Sequence, residues 1–83
     1  MEIIIEFNES AFRHGIRKED IRHSIKTKVY DAPLIGFTEK YVVIGFDTAG
    51  NLLEIMYNPI DDDTINVFHA MKARKTFLEK FDL

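Results

Sequence analysis

The fold is decided by residues 41–57, which read YVVIGFDTAGNLLEIMY. Two runs rich in β-branched and aromatic residues flank a short segment with Asp, Gly and Asn, and this pattern is typical of a β-hairpin. Gly50 and Asn51 can take the positive φ that such a connection usually needs. The hairpin predicts a sheet but no chemistry, so function has to be sought in the residues that flank it.

The chain has 83 residues, the size of one domain whose single core stabilises the fold by only a few kcal/mol. Hydrophobic residues make up 46% and charged residues 30%, which is ordinary for a globular domain and argues against disorder. The absence of cysteine excludes a disulfide framework, a thiolate metal site and a cysteine nucleophile. The apolar run 3–5 is too short for a signal or a membrane span, so we expect a cytoplasmic protein without a membrane partner.

The N-terminal half predicts one strand and two short helices. Residues 2–7 are dense in isoleucine, which suits a strand at a sheet edge with its glutamates facing water. Asn8 is a typical N-cap, and Gly15 stands where a left-handed residue would end the first helix. Residues 18–27 predict a second helix, in which Ile21 and Ile25 form a narrow buried stripe.

The C-terminal half predicts a return to strand and then helix. Residues 29–34 are ambiguous because Pro33 disfavours a central strand. Residues 64–70 predict a third antiparallel strand, and a helix follows Met71 with an apolar stripe that would lie on the sheet. This stripe consists of Ala73, Phe77, Leu78 and Phe81. The whole is an α+β fold with an N-terminal strand, two short helices, a three-stranded antiparallel meander and a C-terminal helix.

Strict alternation along the strands predicts which side chains share a face. In the third strand it places His69 in phase with Ile65 and Val67. In the hairpin it places Glu54 in phase with Leu52 and Met56, either as a partly buried carboxylate of raised pKa or as a residue of the solvent face.

The net charge of −3 conceals an uneven distribution. A first basic segment contains Arg13, Arg17, Lys18, Arg22, Lys26 and Lys28, and a second contains Lys72, Arg74 and Lys75. If the fold brings the two segments together, the domain has one cationic face suited to nucleic acid. The alternative is that both are solvated helix faces.

Five segments, in the same order along the chain, resemble a known family. Residues 7–11 (FNESA), 13–16 (RHGI) and 19–21 (EDI) are similar to the opening of BrnT-type toxins, small members of the RelE-like ribonuclease toxins. Residues 42–51 resemble the central hairpin of that family, and residues 69–75 (HAMKARK) resemble its closing segment. His69 stands where serine is usual in the family, and Met71 stands where arginine is common.

The resemblance implies that residues 1–83 form a single RelE/BrnT-like domain, the toxin of a type II toxin-antitoxin system. Such a toxin is an endoribonuclease that cleaves RNA without a metal or another cofactor, and messenger RNA is the expected substrate. It is silenced by a cognate DNA-binding antitoxin. Because the domain is small, we expect a homodimer or a toxin-antitoxin hetero-oligomer. The alternative is a non-enzymatic interaction module that keeps the same fold.

RNA cleavage of this kind needs a base, an acid and donors to the phosphate. The candidate catalytic residues are His69, Arg74 and His14, because histidine titrates near neutral pH and arginine holds phosphate. The candidate RNA-binding residues are Arg13, Arg17, Lys72, Lys75 and Tyr57. Tyr57, or alternatively Tyr41, would be the platform on which a splayed base stacks. His69 could instead be a packing histidine, and His14 could simply stabilise a helix end.

Other ligand sites are weakly indicated. Asp61, Asp62 and Asp63 are adjacent in the chain and lack the spaced ligand positions of a calcium loop, so they indicate a turn. His23, on the second helix, is expected to be exposed. We predict no metal site and no cofactor.

Overall fold

A five-stranded sheet organises residues 3–80 and 82, the part of the chain that the computed structural model describes. Its elements in chain order are β1 (Ile4–Phe7), a 3₁₀ helix (Glu9–Phe12), α1 (Lys18–Lys26), β2 (Tyr30–Pro33), β3 (Tyr41–Phe46), β4 (Leu52–Pro59), β5 (Thr64–Lys72) and α2 (Lys75–Lys80). The strand order is β1-β5-β4-β3-β2, with β1 parallel to β5 and every other pair antiparallel.

The predicted α+β class is confirmed, and the meander is β3-β4-β5. The prediction missed one strand, because β2 pairs with β3 at the edge of the sheet. Pro33 is tolerated there since an edge strand has no further neighbour that needs its missing N–H. The N-terminal strand also lies at an edge, as expected.

The turn of the central hairpin is fixed by Asp47. Its carboxylate accepts hydrogen bonds from the N–H groups of Ala49 at 2.9 Å and Asn51 at 2.7 Å. The pKa of Asp47 lies below its ordinary value, chiefly because of the backbone hydrogen bond from Asn51. Gly50 takes the positive φ of +87°, whereas Asn51, which we expected to be able to share that role, does not.

The predicted first helix is a single 3₁₀ turn. Asn8 caps it through a 3.2 Å hydrogen bond from the N–H of Ser10, as its sequence position predicts. The turn ends at Phe12, and Gly15 closes the segment at φ +78° by donating its N–H to the Phe12 carbonyl at 3.1 Å. The second helix forms as predicted, one residue shorter at its C-terminal end.

The core lies between α1 and one face of the sheet. Ile21 and Ile25 of α1 are buried against strand side chains, as their spacing predicts. The strand contribution comes from Val43, Leu53, Ile55, Val67 and Ala70. Each fully buried aliphatic side chain stabilises the fold by about 1.5–3 kcal/mol relative to exposure. This burial fixes the faces of β3, β4 and β5, and therefore which strand residues point to the opposite side.

The C-terminal segment differs from its prediction. Strand β5 continues to Lys72, two residues beyond the predicted end at Ala70, and α2 begins at Lys75. Phe77 and Leu78 are half-buried, while Phe81 of the predicted stripe lies outside the described residues. Within the described part of the chain, neither helix has the length and apolar character required to cross a lipid bilayer.

Candidate active site

A buried carboxylate lies at the centre of the sheet. Glu54 sits in β4 between Leu53 and Ile55, whose side chains enter the core beneath α1. Because neighbouring strand residues point to opposite faces, Glu54 faces away from that core. It pairs with Ile44 on β3 and Met71 on β5, and its side chain is 0% exposed. A buried charge of this kind requires partners.

Arg74 supplies the first partner. Its guanidinium donates from Nε to Oε1 of Glu54 at 3.1 Å and from Nη2 to Oε2 at 2.8 Å, a bidentate arrangement. The backbone N–H of Arg74 donates to Oε1 as well, at 3.1 Å. The segment is held in place because Ala73 donates its N–H to the Leu52 carbonyl at 2.9 Å. The Arg74 side chain remains 54% exposed, so donors that do not bind Glu54 are accessible from solvent.

His69 is the second partner, and a β-bulge aims it. Met56 pairs with His69 while the next residue, Tyr57, pairs with Val67, so Phe68 is an extra residue in β5. The prediction that His69 shares a face with Val67 is therefore wrong. A bulge re-aims the side chains that follow it. His69 consequently points to the Glu54 side, with Nε2 at 3.0 Å from Oε2.

The side chain and backbone N–H of Arg74, together with the His69 ring, set the charge state of Glu54. Burial by itself raises the pKa of this carboxyl, but hydrogen bonds from the Arg74 side chain and backbone and from His69 outweigh burial. The pKa of Glu54 therefore lies below its ordinary value, opposite to the raised pKa that we predicted as one alternative. An ionised carboxylate can only accept, so Nε2 of His69 is the donor in this contact, and in the neutral imidazole Nδ1 is then the acceptor of the ring.

His14 completes the cluster. The 3₁₀ helix that precedes it is fixed to β5 by the Ser10 hydroxyl, which donates to the Phe68 carbonyl at 2.6 Å. The ring centroids of His14 and His69 are 5.6 Å apart, with the planes inclined at 72°. His14 is exposed and the His69 side chain is 22% exposed, so both imidazoles reach the surface. We call Glu54, His69, Arg74 and His14 the histidine cluster.

The predicted phosphate-binding residues occupy exposed positions. Arg13 precedes His14 and lines an open groove with Asn8 and Ser10. Lys72 ends β5 and Lys75 begins α2, on either side of Arg74 in the chain.

Arg17 differs from the other predicted phosphate-binding residues because its side chain is paired with carboxylates. It lies at the start of α1, where Nε is 3.3 Å from an oxygen of Asp20 and 3.6 Å from an oxygen of Glu19. Its charge is thus already opposed by two carboxylates. Exposed pairs of this kind are worth at most about 1 kcal/mol, so they do not hold the side chain strongly.

Tyr57 is not brought into the histidine cluster. It packs against the core on the α1 side of the sheet and stacks on Tyr41 with the centroids 5.4 Å apart. Its hydroxyl donates to Asp31 at 2.8 Å. Burial and this hydrogen bond both raise the pKa of Tyr57. Its ring is therefore already engaged on the face opposite Glu54.

Glu54 is the member of the cluster that the sequence did not assign to the site. A carboxylate in an otherwise apolar strand was a usable signal, because such a group needs a cation or several donors when buried. Arg74 lies 20 positions away, and local patterning cannot pair residues at that separation.

Among residues 3–80 and 82, no three His, Asp or Glu side chains are grouped as ligands for a metal ion. The Asp61–Asp63 segment forms a turn in which Asp61 accepts from the N–H of Asp63 at 3.2 Å, as the sequence indicated.

The chain matches no protein-family model, no curated protein and no solved structure.

Proposed function

We propose that this chain is the toxin of a type II toxin-antitoxin system, a cytoplasmic endoribonuclease that cleaves messenger RNA without a metal ion. One observation carries the proposal: two surface imidazoles meet beside a half-exposed arginine that is anchored on a buried carboxylate. These groups supply a base, an acid and a donor to phosphate in one place. The resemblance of residues 7–21, 42–51 and 69–75 to BrnT-type toxins points to the same activity.

The reaction that fits this geometry is internal transfer at phosphorus. The ribose 2′-oxygen attacks the phosphorus and the bond to the 5′-oxygen breaks, which gives a 2′,3′-cyclic phosphate and a free 5′-hydroxyl. Nδ1 of His69 takes the proton from the 2′-hydroxyl, because Nε2 is held by Glu54. His14 in its protonated form gives a proton to the departing 5′-oxygen. Protons and electron pairs then balance within the cluster and the RNA.

Arg74 is assigned to the phosphate. Two of its five N–H donors hold Glu54, and the exposed remainder of the guanidinium can face the negative charge that builds on the phosphoryl oxygens. The carboxylate keeps the guanidinium in one orientation, so little reorganisation is needed when that charge appears.

Glu54 acts as a positioning residue, since its fully buried side chain does not reach the substrate. It orients two side chains at the same time. Its Oε2 contacts His69, and both of its oxygens accept hydrogen bonds from the Arg74 guanidinium. A carboxylate in this position fixes the tautomer of the imidazole and its direction.

Lys72 pairs with Leu53, whose side chain lies on the α1 side of the sheet, and Arg17 lies at the start of α1, so these two residues are left out of the proposed site. Arg13 and Lys75, the neighbours of His14 and Arg74 in the chain, are assigned to the RNA backbone beside the cleaved bond. Contacts of this type make affinity for single-stranded RNA fall steeply with ionic strength. Tyr57 is left out of the proposed site because its ring and hydroxyl are occupied elsewhere.

Induced expression tests the proposal in cells. Growth arrest and RNA cleavage are measured for the wild type and for the separate variants His69→Ala and Arg74→Ala, and we expect both effects to disappear in each variant. His23→Ala is the matched control, because His23 lies on α1 beneath the opposite face of the sheet. Arrest and cleavage that persist in both cluster variants would refute the assignment of the histidine cluster as the nuclease centre, and arrest without RNA cleavage would favour the interaction module.

The interaction module is supported by a separate observation. Three large apolar side chains are exposed at one end of the sheet: Ile3 and Ile4 at the start of the edge strand β1, and Ile60 next to the turn between β4 and β5. Ile4 and Ile60 flank the turn at residues 61–64, since their N–H groups donate to Asp63 and Thr64. An exposed edge strand with apolar residues favours a protein partner, either a second copy or an antitoxin. Elution of the purified chain as a monomer with a high melting temperature would contradict the need for such a partner.

A further inference from the structure

A cluster of two aromatic rings and a lysine lies next to His69. Phe68, the extra residue of the β-bulge, immediately precedes that histidine. The ammonium nitrogen of Lys40 is 5.5 Å from the centroid of the Phe68 ring and 4.8 Å from the centroid of the Phe37 ring. We call Phe37, Lys40 and Phe68 the aromatic cluster.

These rings are not part of the buried core. Phe37 is 56% exposed, and Phe68 is only partly buried although its strand neighbours Val67 and Ala70 are fully buried. An exposed phenylalanine contributes little to folding through burial, and much of the Phe37 ring surface is therefore open to a ligand.

The loop that carries Phe37 is built to hold it in one place. The Leu34 N–H donates to the Lys40 carbonyl at 2.7 Å, and the Phe37 N–H donates to the Leu34 carbonyl at 3.2 Å. Gly36 takes a positive φ of +88° within this turn. On the other side, the Ser10 hydroxyl fixes the Phe68 carbonyl. Both rings are therefore presented from backbone that is already hydrogen-bonded.

We propose that the aromatic cluster is a nucleobase-stacking subsite for single-stranded RNA, placed directly beside the cleaved phosphate. This inference rests on the proposed ribonuclease function and names the form of its substrate. A splayed base stacks on the Phe37 ring, and the Lys40 ammonium meets the adjoining phosphate. The subsite takes over the stacking role that the sequence suggested for Tyr57.

The chemistry of the aromatic cluster determines which forms of RNA it can bind. It offers ring faces and one cation, and every nucleobase has a face that can stack, so the subsite tolerates different bases. A base within a duplex is already stacked and cannot enter it. We therefore expect preference for unpaired RNA over double-stranded RNA of the same sequence.

Binding of uncleavable RNA tests the subsite. The probes are fluorescently labelled 2′-O-methyl oligoribonucleotides, which lack the attacking hydroxyl, and the readout is anisotropy. We expect Phe37→Ala to weaken binding about tenfold, because that is the usual contribution of one base stacked on an aromatic ring. Phe37→Tyr keeps an aromatic ring and should bind like the wild type. Ile35→Ala, at an 81% exposed apolar residue of the same loop, is the matched control.

Oligonucleotides with a single abasic position locate the contact. One abasic position should weaken binding to the wild type about tenfold and cause no further loss in Phe37→Ala, because the partner ring is already gone. Equal thermal melting of the variants shows that the effect does not come from unfolding.

The outcomes separate this inference from the nuclease itself. If the wild type cleaves RNA in a His69-dependent way but Phe37→Ala binds normally and no abasic position matters, the stacking subsite is refuted and the nuclease stands. If the wild type neither binds nor cleaves single-stranded RNA, both are refuted together.

Discussion

Arg74 and Glu54 are joined by three hydrogen bonds, two from the guanidinium at 3.1 and 2.8 Å and one from the backbone N–H at 3.1 Å. The carboxylate is fully buried while the arginine is half exposed, so the pair connects the interior of the sheet to the surface. The same contact serves two purposes, because it neutralises a buried charge and fixes the guanidinium beside His69.

Loss of this contact should be costly for stability. Arg74→Ala leaves the Glu54 carboxylate buried with His69 as its remaining side-chain partner, and we expect a loss of about 3 kcal/mol. That is a large share of the roughly 4–12 kcal/mol typical of a domain of this size. Urea unfolding monitored by circular dichroism measures the change. Lys72→Ala, at an exposed residue two positions earlier, should stay within about 0.5 kcal/mol of the wild type; equal midpoints for both variants would contradict the account.

The same pair predicts how stability depends on pH. Folding lowers the pKa of Glu54, so its ionised form contributes stability that is complete above the pKa of the unfolded chain. This contribution is lost as the pH falls through the lower pKa of the folded state. Below the ordinary glutamate pKa of 4.5, the free energy of unfolding should therefore fall more steeply with falling pH for the wild type than for Glu54→Gln. Parallel curves for the two proteins would show that Glu54 is not the group responsible.

The kinetic constants of Glu54→Gln should show whether Glu54 positions the catalytic groups or binds the RNA. Glu54→Gln keeps the size of the side chain but removes the charge that orients His69 and Arg74. We expect kcat for RNA cleavage to fall about a hundredfold while KM stays within about twofold, because the buried group does not touch the substrate. Single-turnover cleavage over a range of RNA concentrations gives both constants. A variant with reduced RNA affinity and unchanged kcat would assign Glu54 to the binding surface instead.

The contact of α1 with the sheet depends on Gly45. A Cβ at this position would collide with the backbone carbonyl of Ser24, which cannot move without shifting the helix. Gly45→Ala should therefore destabilise the protein by about 3 kcal/mol in chemical denaturation. Gly50→Ala is the comparison, since its Cβ meets open space and only the positive φ costs about 1 kcal/mol. If Gly45→Ala is no less stable than Gly50→Ala, the close packing of α1 is disproved.

Local features of the sequence predicted local structure well. The hairpin, the Asn8 cap and the Ile21–Ile25 stripe each depend on residues within a few positions of one another, and each is found as expected. Strand β2 was left ambiguous because Pro33 excludes a central strand, but not an edge strand. Whether a strand lies at the edge depends on how all the strands of the sheet pair, and the local sequence does not show that pairing.

The candidate site was only partly predictable for the same reason. His69, Arg74 and His14 were chosen for their chemistry and do lie together. The extra residue of the β-bulge is Phe68 and not a glycine, so the sequence carries no signal of the bulge. Strict alternation therefore assigned His69 to the wrong face of the sheet. Glu54 was missed as a site residue because its partners come from distant segments, and Tyr57 was included because its engagement with Tyr41 and Asp31 also depends on the tertiary fold.

Cleavage of RNA by the purified protein in the presence of a metal chelator tests the central claim most directly, with the ends of the products identified by mass spectrometry. We expect the wild type to produce 2′,3′-cyclic phosphate and 5′-hydroxyl ends, and His69→Ala to be slower by about 100- to 10,000-fold. Absence of cleavage by the folded wild type, or undiminished cleavage by His69→Ala, would contradict the assignment of the histidine cluster as a nuclease centre.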